Sequence, residues 1–110
     1  MATPRCSWCG VHLPEDDGYR VAEQAGERIA AFCRLEHVVP WAMQGAHWEP
    51  GVLAESVPGD PGLDRCSQCA VEVDDTRILL IRHRGPHRIA DAFCGIAHLS
   101  AWASAGGRWR

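Results

Sequence analysis

The chain has no lysine; all eleven of its Lys/Arg-type side chains are arginine. This absence fits a GC-rich genome as well as it fits a function. Also missing is any apolar run long enough to span a membrane, which excludes a transmembrane helix. The first residues, Met1-Ala2-Thr3-Pro4-Arg5-Cys6, lack the apolar core of a secretory leader, so the expected location is cytoplasmic. Net positive charge is absent too. The formal charge is −3, a poor electrostatic footprint for a nucleic-acid binder.

What the chain does have is six cysteines and an internal repeat. Arg5-Cys6-Ser7-Trp8-Cys9 matches Arg65-Cys66-Ser67-Gln68-Cys69, and Arg28-Ile29-Ala30 matches Arg88-Ile89-Ala90. One residue further along, Ala31-Phe32-Cys33 matches Ala92-Phe93-Cys94. His37 then matches His98, Trp41-Ala42 matches Trp102-Ala103, Gly45 matches Gly106, and Trp48 matches Trp109. The change of offset is assigned to one inserted residue, Asp91. Over residues 5–49 there are 16 identities in 45 aligned positions. Self-similarity at this level indicates a duplicated structural unit.

The copies differ in surface charge. Residues 1–50 carry four Arg and seven Asp/Glu, whereas residues 63–110 carry seven Arg and five Asp/Glu. Between them lies a stretch rich in proline and glycine, the composition of a linker. The expected organisation is copy one at 1–49, a linker at 50–62 and copy two at 63–110. Val52, Leu53 and Val57 of the linker are candidates to dock on a neighbouring copy. A unit of about 45 residues is too small for a hydrophobic core alone to hold it, so each copy needs a staple.

Each copy opens with Cys-x-x-Cys, which closes a tight turn; Gly10 suits a positive φ there, and Ala70 takes its place in copy two. A β-hairpin follows, expected from Tyr19–Glu23 with Arg28–Phe32, and from Arg77–Ile81 with Arg88–Phe93. Asp91 is then a candidate bulge. A helix comes next, expected from about Arg34 to Gln44 and from about Gly95 to Ala105, each ended by glycine. Pro40 calls for a kink, or for a helix that begins near Val39. The third cysteine and the histidine are four apart, so Cys33 and His37, like Cys94 and His98, share a helix face. Trp41 and Trp102 extend that face by a turn and should shield it from solvent.

The spacing per copy, Cys-x2-Cys, then Cys-x3-His, offers three thiolates and one imidazole. That donor set is the composition of a structural zinc site. The expected ligands are Cys6, Cys9, Cys33 and His37 in copy one, and Cys66, Cys69, Cys94 and His98 in copy two, with two Zn²⁺ per chain. Six cysteines could instead form three disulfides, but this explains neither the paired histidines nor the expected reducing compartment. A redox Cys-x-x-Cys lacks the surrounding βαβ pattern. Cross-bracing of Cys6/Cys9 with Cys66/Cys69 is a further arrangement, against which the self-contained repeat argues.

Outside these ligands, His12, His47, His83 and His87 are unmatched and read as surface residues. The segment Arg82-His83-Arg84-Gly85-Pro86-His87-Arg88 reads as a solvated basic hairpin tip that could meet phosphates or an acidic partner. The paired tryptophans read as core. Trp8, placed between two ligands, is the best single candidate for a contact residue. With all four donors of each site used, no open coordination position is left for catalysis, and the chain is not expected to be an enzyme.

Phe32-Cys33-Arg34-Leu35-Glu36-His37 and Phe93-Cys94-Gly95-Ile96-Ala97-His98, each behind a Cys-x-x-Cys knuckle and a hairpin, resemble treble-clef zinc fingers. They are similar to the Phe-Cys-x-x-x-Cys segments of the FCS, MYM and TRASH groups, with His in the fourth ligand position. The resemblance implies an α+β chain of two small zinc-bound treble-clef-like units, each a knuckle, a hairpin and one helix. In those groups such fingers mediate protein contacts, nucleic-acid contacts or metal handling; two filled sites, unequal surfaces and no catalytic set point to a protein-interaction or regulatory module with a protein partner. The alternatives are nucleic-acid binding through the basic second copy, and metal sensing or carriage.

Overall fold

The computed structural model describes residues 5–14, 17–23, 25–51, 65–74, 76–84 and 87–106, without the side chains of Arg84, His87 and Arg88. The order of elements is β1 (Asp17–Glu23), β2 (Arg28–Phe32), a 3-10 turn (Leu35–His37) that runs into α1 (Val38–Met43), β3 (Glu49–Pro50), β4 (Ile78–Arg84), β5 (His87–Phe93) and α2 (Ile96–Ser104). Among the described residues the fold is α+β: one five-stranded antiparallel sheet, in the order β3-β2-β1-β4-β5, with two α-helices.

Alternation along the strands assigns each side chain to one of two faces. Val21, Ala30, Phe32, Ile78, Leu80 and Phe93 form one apolar cluster with Leu35, Val38, Trp41, Leu99, Trp102 and Ala103. Both helices supply that cluster, and α1 packs against α2. The intervening strand positions Leu79, Ile81, Ala90 and Ala92 form a second, smaller cluster with Val73. Arg20 is buried at an alternate position to Val21, and its guanidinium donates to the carbonyls of Pro14, Asp17 and Tyr19. Those bonds tie down the chain as it enters β1 and offset the cost of burying the charge.

The seam between the copies is the β1–β4 ladder, which runs the full length of both strands from Asp17↔Arg84 to Glu23↔Ile78. Within the hairpins, Tyr19 pairs with Phe32 and Ile78 pairs with Phe93. With the two phenylalanines equivalent, Tyr19 corresponds to Ile78 and Val21 to Leu80. Val21 and Leu80 also face each other across the seam. A local two-fold axis therefore passes through this pair, and each copy meets the other through its own equivalent strand.

The second hairpin corrects the expected insertion at Asp91. The β4–β5 ladder is continuous from Ile78↔Phe93 to Arg84↔His87, with no bulge. The strands extend beyond Ile81, and only residues 85 and 86 separate them, where copy one has residues 24–27 between Glu23 and Arg28. The extra length is thus taken up at the hairpin tip. As a result Arg88-Ile89-Ala90 is out of structural step with Arg28-Ile29-Ala30: Ala30 faces the helices, whereas Ala90 lies in the opposite cluster. A one-residue slip exchanges faces in a strand. Asp91 takes the place of Ala30.

In copy one, Pro40 is the third residue of α1, where its missing N–H has no helical acceptor to lose. The segment before it, Leu35–His37, adopts the tighter 3-10 form, so the α-helix proper begins at Val38. In copy two, α2 is uninterrupted over Ile96–Ser104. Gly45 and Gly106, at φ 98° and 94°, follow the helix ends as expected. Pro50 lies in β3, where Glu49 and Pro50 pair with Ile29 and Arg28. Arg28 also joins Glu23 in an ion pair of 2.7 Å and stacks on Trp48 at 5.1 Å. Val52, Leu53, Val57 and Trp109 lie outside the described residues.

Candidate metal centres

The first two donors of each copy stand on a turn closed by backbone hydrogen bonds. The amide of Cys6 donates to Val11 O (2.9 Å) and that of Gly10 to Cys6 O (3.0 Å). In copy two, Cys66 N donates to Val71 O (2.9 Å) and Ala70 N to Cys66 O (2.8 Å). The turn requires positive φ at its end: Gly10 has φ 78° and Ala70 has φ 63°. Glycine adopts this without a Cβ clash, while alanine is strained there.

Each turn is docked on the sheet beside the third donor. Ser7 N donates to Ala31 O (2.6 Å), and Ala31 N donates back to Ser7 Oγ (3.0 Å). Ser67 N donates to Ala92 O (2.8 Å), but its hydroxyl goes to Asp91 Oδ1 (2.6 Å). These serines carry no ligand role in the sequence argument, although their match after the first cysteine of both copies is a signal for them. Cys33 and Cys94 follow β2 and β5 directly. His37 ends the 3-10 turn, and His98 lies in the first turn of α2.

The donor atoms of Cys6, Cys9, Cys33 and His37 all lie within 4.8 Å of one another, as do those of Cys66, Cys69, Cys94 and His98. Each group is drawn from one copy, so the sites are sequential and not cross-braced. A Zn²⁺ with Zn–S of about 2.3 Å and Zn–N of about 2.05 Å in a tetrahedron has S···S edges of about 3.8 Å and S···N edges of about 3.6 Å. In copy one, Cys9–Cys33 measures 3.6 Å, Cys6 to His37 Nδ1 3.6 Å and Cys33 to His37 Nδ1 3.4 Å. In copy two, Cys69–Cys94 is 3.8 Å and Cys66 to His98 Nδ1 3.7 Å. These edges fit the ion. Cys94 to His98 Nδ1 is the exception at 2.8 Å, shorter than a tetrahedral edge.

The thiols are electrostatically unequal. Burial pushes Cys6 up, but the backbone N–H groups of Cys9, Cys33 and Trp8, with the His37 ring, outweigh it and lower the thiol to about 6. Cys66 is likewise raised by burial and brought down to about 6 by the amides of Cys94, Cys69 and Gln68 and by His98. Burial, followed by the neighbouring sulfurs Cys9 and Cys6, raises Cys33 to about 12. Burial and then Cys69 and Cys66 raise Cys94 to about 11. One preformed thiolate per site, beside a third cysteine reluctant to ionise alone, is a pocket that a divalent cation completes.

The tryptophans behave as core. Trp41 meets Phe32 edge-on at 5.1 Å and Trp48 at 5.0 Å, and Trp102 meets Phe93 at 5.3 Å. Each thus packs on the phenylalanine that precedes the third cysteine. Trp8 is exposed (43%), as its place between two ligands suggests. His12 and His47 are exposed, but His83 is buried (3%), contrary to the surface reading. β4 extends past Ile81, and His83 lies within the strand, opposite Gly18 in the ladder. Because Arg82 and His83 belong to a strand paired on both sides, the basic hairpin tip is shorter than the sequence suggests. Among the described residues no helix is long and apolar enough to cross a membrane.

No family model matches the chain, and no curated protein and no solved structure is significantly similar to it.

Proposed function

We propose that the chain is a non-catalytic zinc-binding protein, built as two treble-clef-like units, that serves as a protein-interaction or regulatory module. The observation that carries this reading is the donor geometry: two Cys3His groups, each with its donor atoms within 4.8 Å of one another, in which five of the six edges given above match a tetrahedral zinc site. A catalytic zinc keeps a position open for water or substrate, whereas four protein donors fill the shell. The metal holds together two units that are each too small for a core of their own, and frees their surfaces to differ. Trp8 and Val11 on the first knuckle, and Val71 on the second, are exposed apolar side chains suited to contact with a protein partner. Metal analysis of the chain purified without added zinc tests the reading: about two Zn per chain are expected, and chelation should unfold both copies. Metal-free protein that retains its full structure would refute it.

A further inference from the structure

The two sites share a ligand set but not an environment. Cys9 and Cys69 are both exposed, but Cys33 is half-buried whereas Cys94 is exposed, so only in copy two does the whole edge between the second and third cysteines lie open to solvent. Leu35, two residues after Cys33, is buried, whereas its counterpart Ile96 is only half-buried. The knuckle of copy one is relaxed at Gly10, but that of copy two holds Ala70 at φ 63°. Both knuckles are tied to the neighbouring strand by two hydrogen bonds, but Ser7 bonds only Ala31, whereas Ser67 bonds the Ala92 carbonyl and the Asp91 carboxylate. That carboxylate brings negative charge near a site that three thiolates already make anionic, and Ala30 brings none. Finally, Cys94 Sγ and His98 Nδ1 stand 2.8 Å apart, closer than a tetrahedral zinc edge, so this pair must separate to admit the ion.

Ligand exchange at a filled zinc site needs an incoming donor to reach the metal or a sulfur to swing away. Copy one resists both: its knuckle turn is unstrained at Gly10 and its third cysteine is partly covered. Copy two permits both at the Cys69–Cys94 edge. Building on the zinc reading above, we infer that the pair is functionally divided: copy one holds a structural zinc, and copy two holds an exchangeable zinc that passes to soft, thiolate-bearing acceptors through the exposed Cys69–Cys94 edge. The module then responds to zinc supply through one half while the other half keeps the fold.

The test uses the full chain loaded with two zinc equivalents and mixed with excess chelator, with zinc release followed by a chromophoric indicator. In parallel, pulses of iodoacetamide map by mass which cysteines become reactive. The expected result is two phases of one zinc each, separated by at least about tenfold in rate, with Cys69 and Cys94 alkylated in the fast phase. Ala70→Gly should slow the fast phase alone, and Gly10→Ala should speed the slow one. A single phase releasing both zincs, or first alkylation at Cys9 and Cys33, overturns the division. Protein that retains one zinc supports it if the ion sits in copy one and overturns it if the ion sits in copy two. A chain that binds no zinc removes the zinc reading itself, a result distinct from two equal sites.

Discussion

Leu80→Ala tests whether the seam makes the two copies one cooperative unit. Leu80 is fully buried, faces the helices and pairs with Val21 of the other copy. Truncation removes the equivalent of about three methylenes, at roughly 0.8 kcal/mol each for transfer. The paired strands on either side restrict collapse, so a cavity term adds to this, for a total of about 3–4 kcal/mol. In a chain of this size that corresponds to a fall in Tm of roughly 12–18 °C. Thermal unfolding of the zinc-loaded protein measures the loss, and cysteine alkylation below the transition locates it. If the seam couples the copies, all six cysteines gain reactivity together. Heightened reactivity confined to Cys66, Cys69 and Cys94 would refute the reasoning, as would a loss below about 1 kcal/mol, which is typical of surface positions.

Zinc binding should displace at most about two thiol protons per site near pH 7.5, because Cys6 and Cys66, held at about 6, are already thiolates there. Acidification through pH 6 protonates them, so zinc affinity should fall more steeply below that pH than above it; a pH-indicator titration giving three protons per zinc would contradict this. Gly45→Ala has room for its Cβ but forces alanine to φ 98°, and should cost about 1–2 kcal/mol in denaturant unfolding. Trp8→Ala should change stability by less than about 0.5 kcal/mol yet weaken any protein complex captured from the native host. Equal capture by both forms would remove Trp8 from the binding face. Binding of DNA or RNA at low salt with a steep salt dependence would favour the nucleic-acid alternative.

The donor sets were legible because their spacing is local and repeated. A Cys-x-x-Cys turn and a Cys-x3-His pair fix relative positions within one turn of chain, and the hairpin brings them together. The helices were legible too, including the effect of Pro40, since a proline within the first helical turn loses no hydrogen bond. What escaped the sequence was long-range. Nothing local says that β1 pairs with β4, because a strand edge carries no mark of its partner. The sequence match also misplaced Asp91: an Arg-Ile-Ala identity outweighed the hairpin geometry, although the strand ladder requires those residues one position out of step. His83 was misjudged for the same reason, since its burial depends on β4 continuing opposite Gly18.

The two-fold relation at Val21 and Leu80 has the form of a homodimer interface in which the two subunits share one polypeptide. In two separate chains, such an edge-to-edge pairing would form and dissolve with concentration. Joined by residues 52–64, the halves meet at an effective concentration on the order of millimolar, so the pairing no longer depends on how much protein is made. The tether has a second effect. In a symmetric dimer every substitution appears twice, on both sides of the axis. Here Trp8 can stand over one knuckle and Gln68 over the other, and Gly10 in one can be Ala70 in its twin. The axis fixes where the halves meet, while the single chain lets each of them keep its own chemistry.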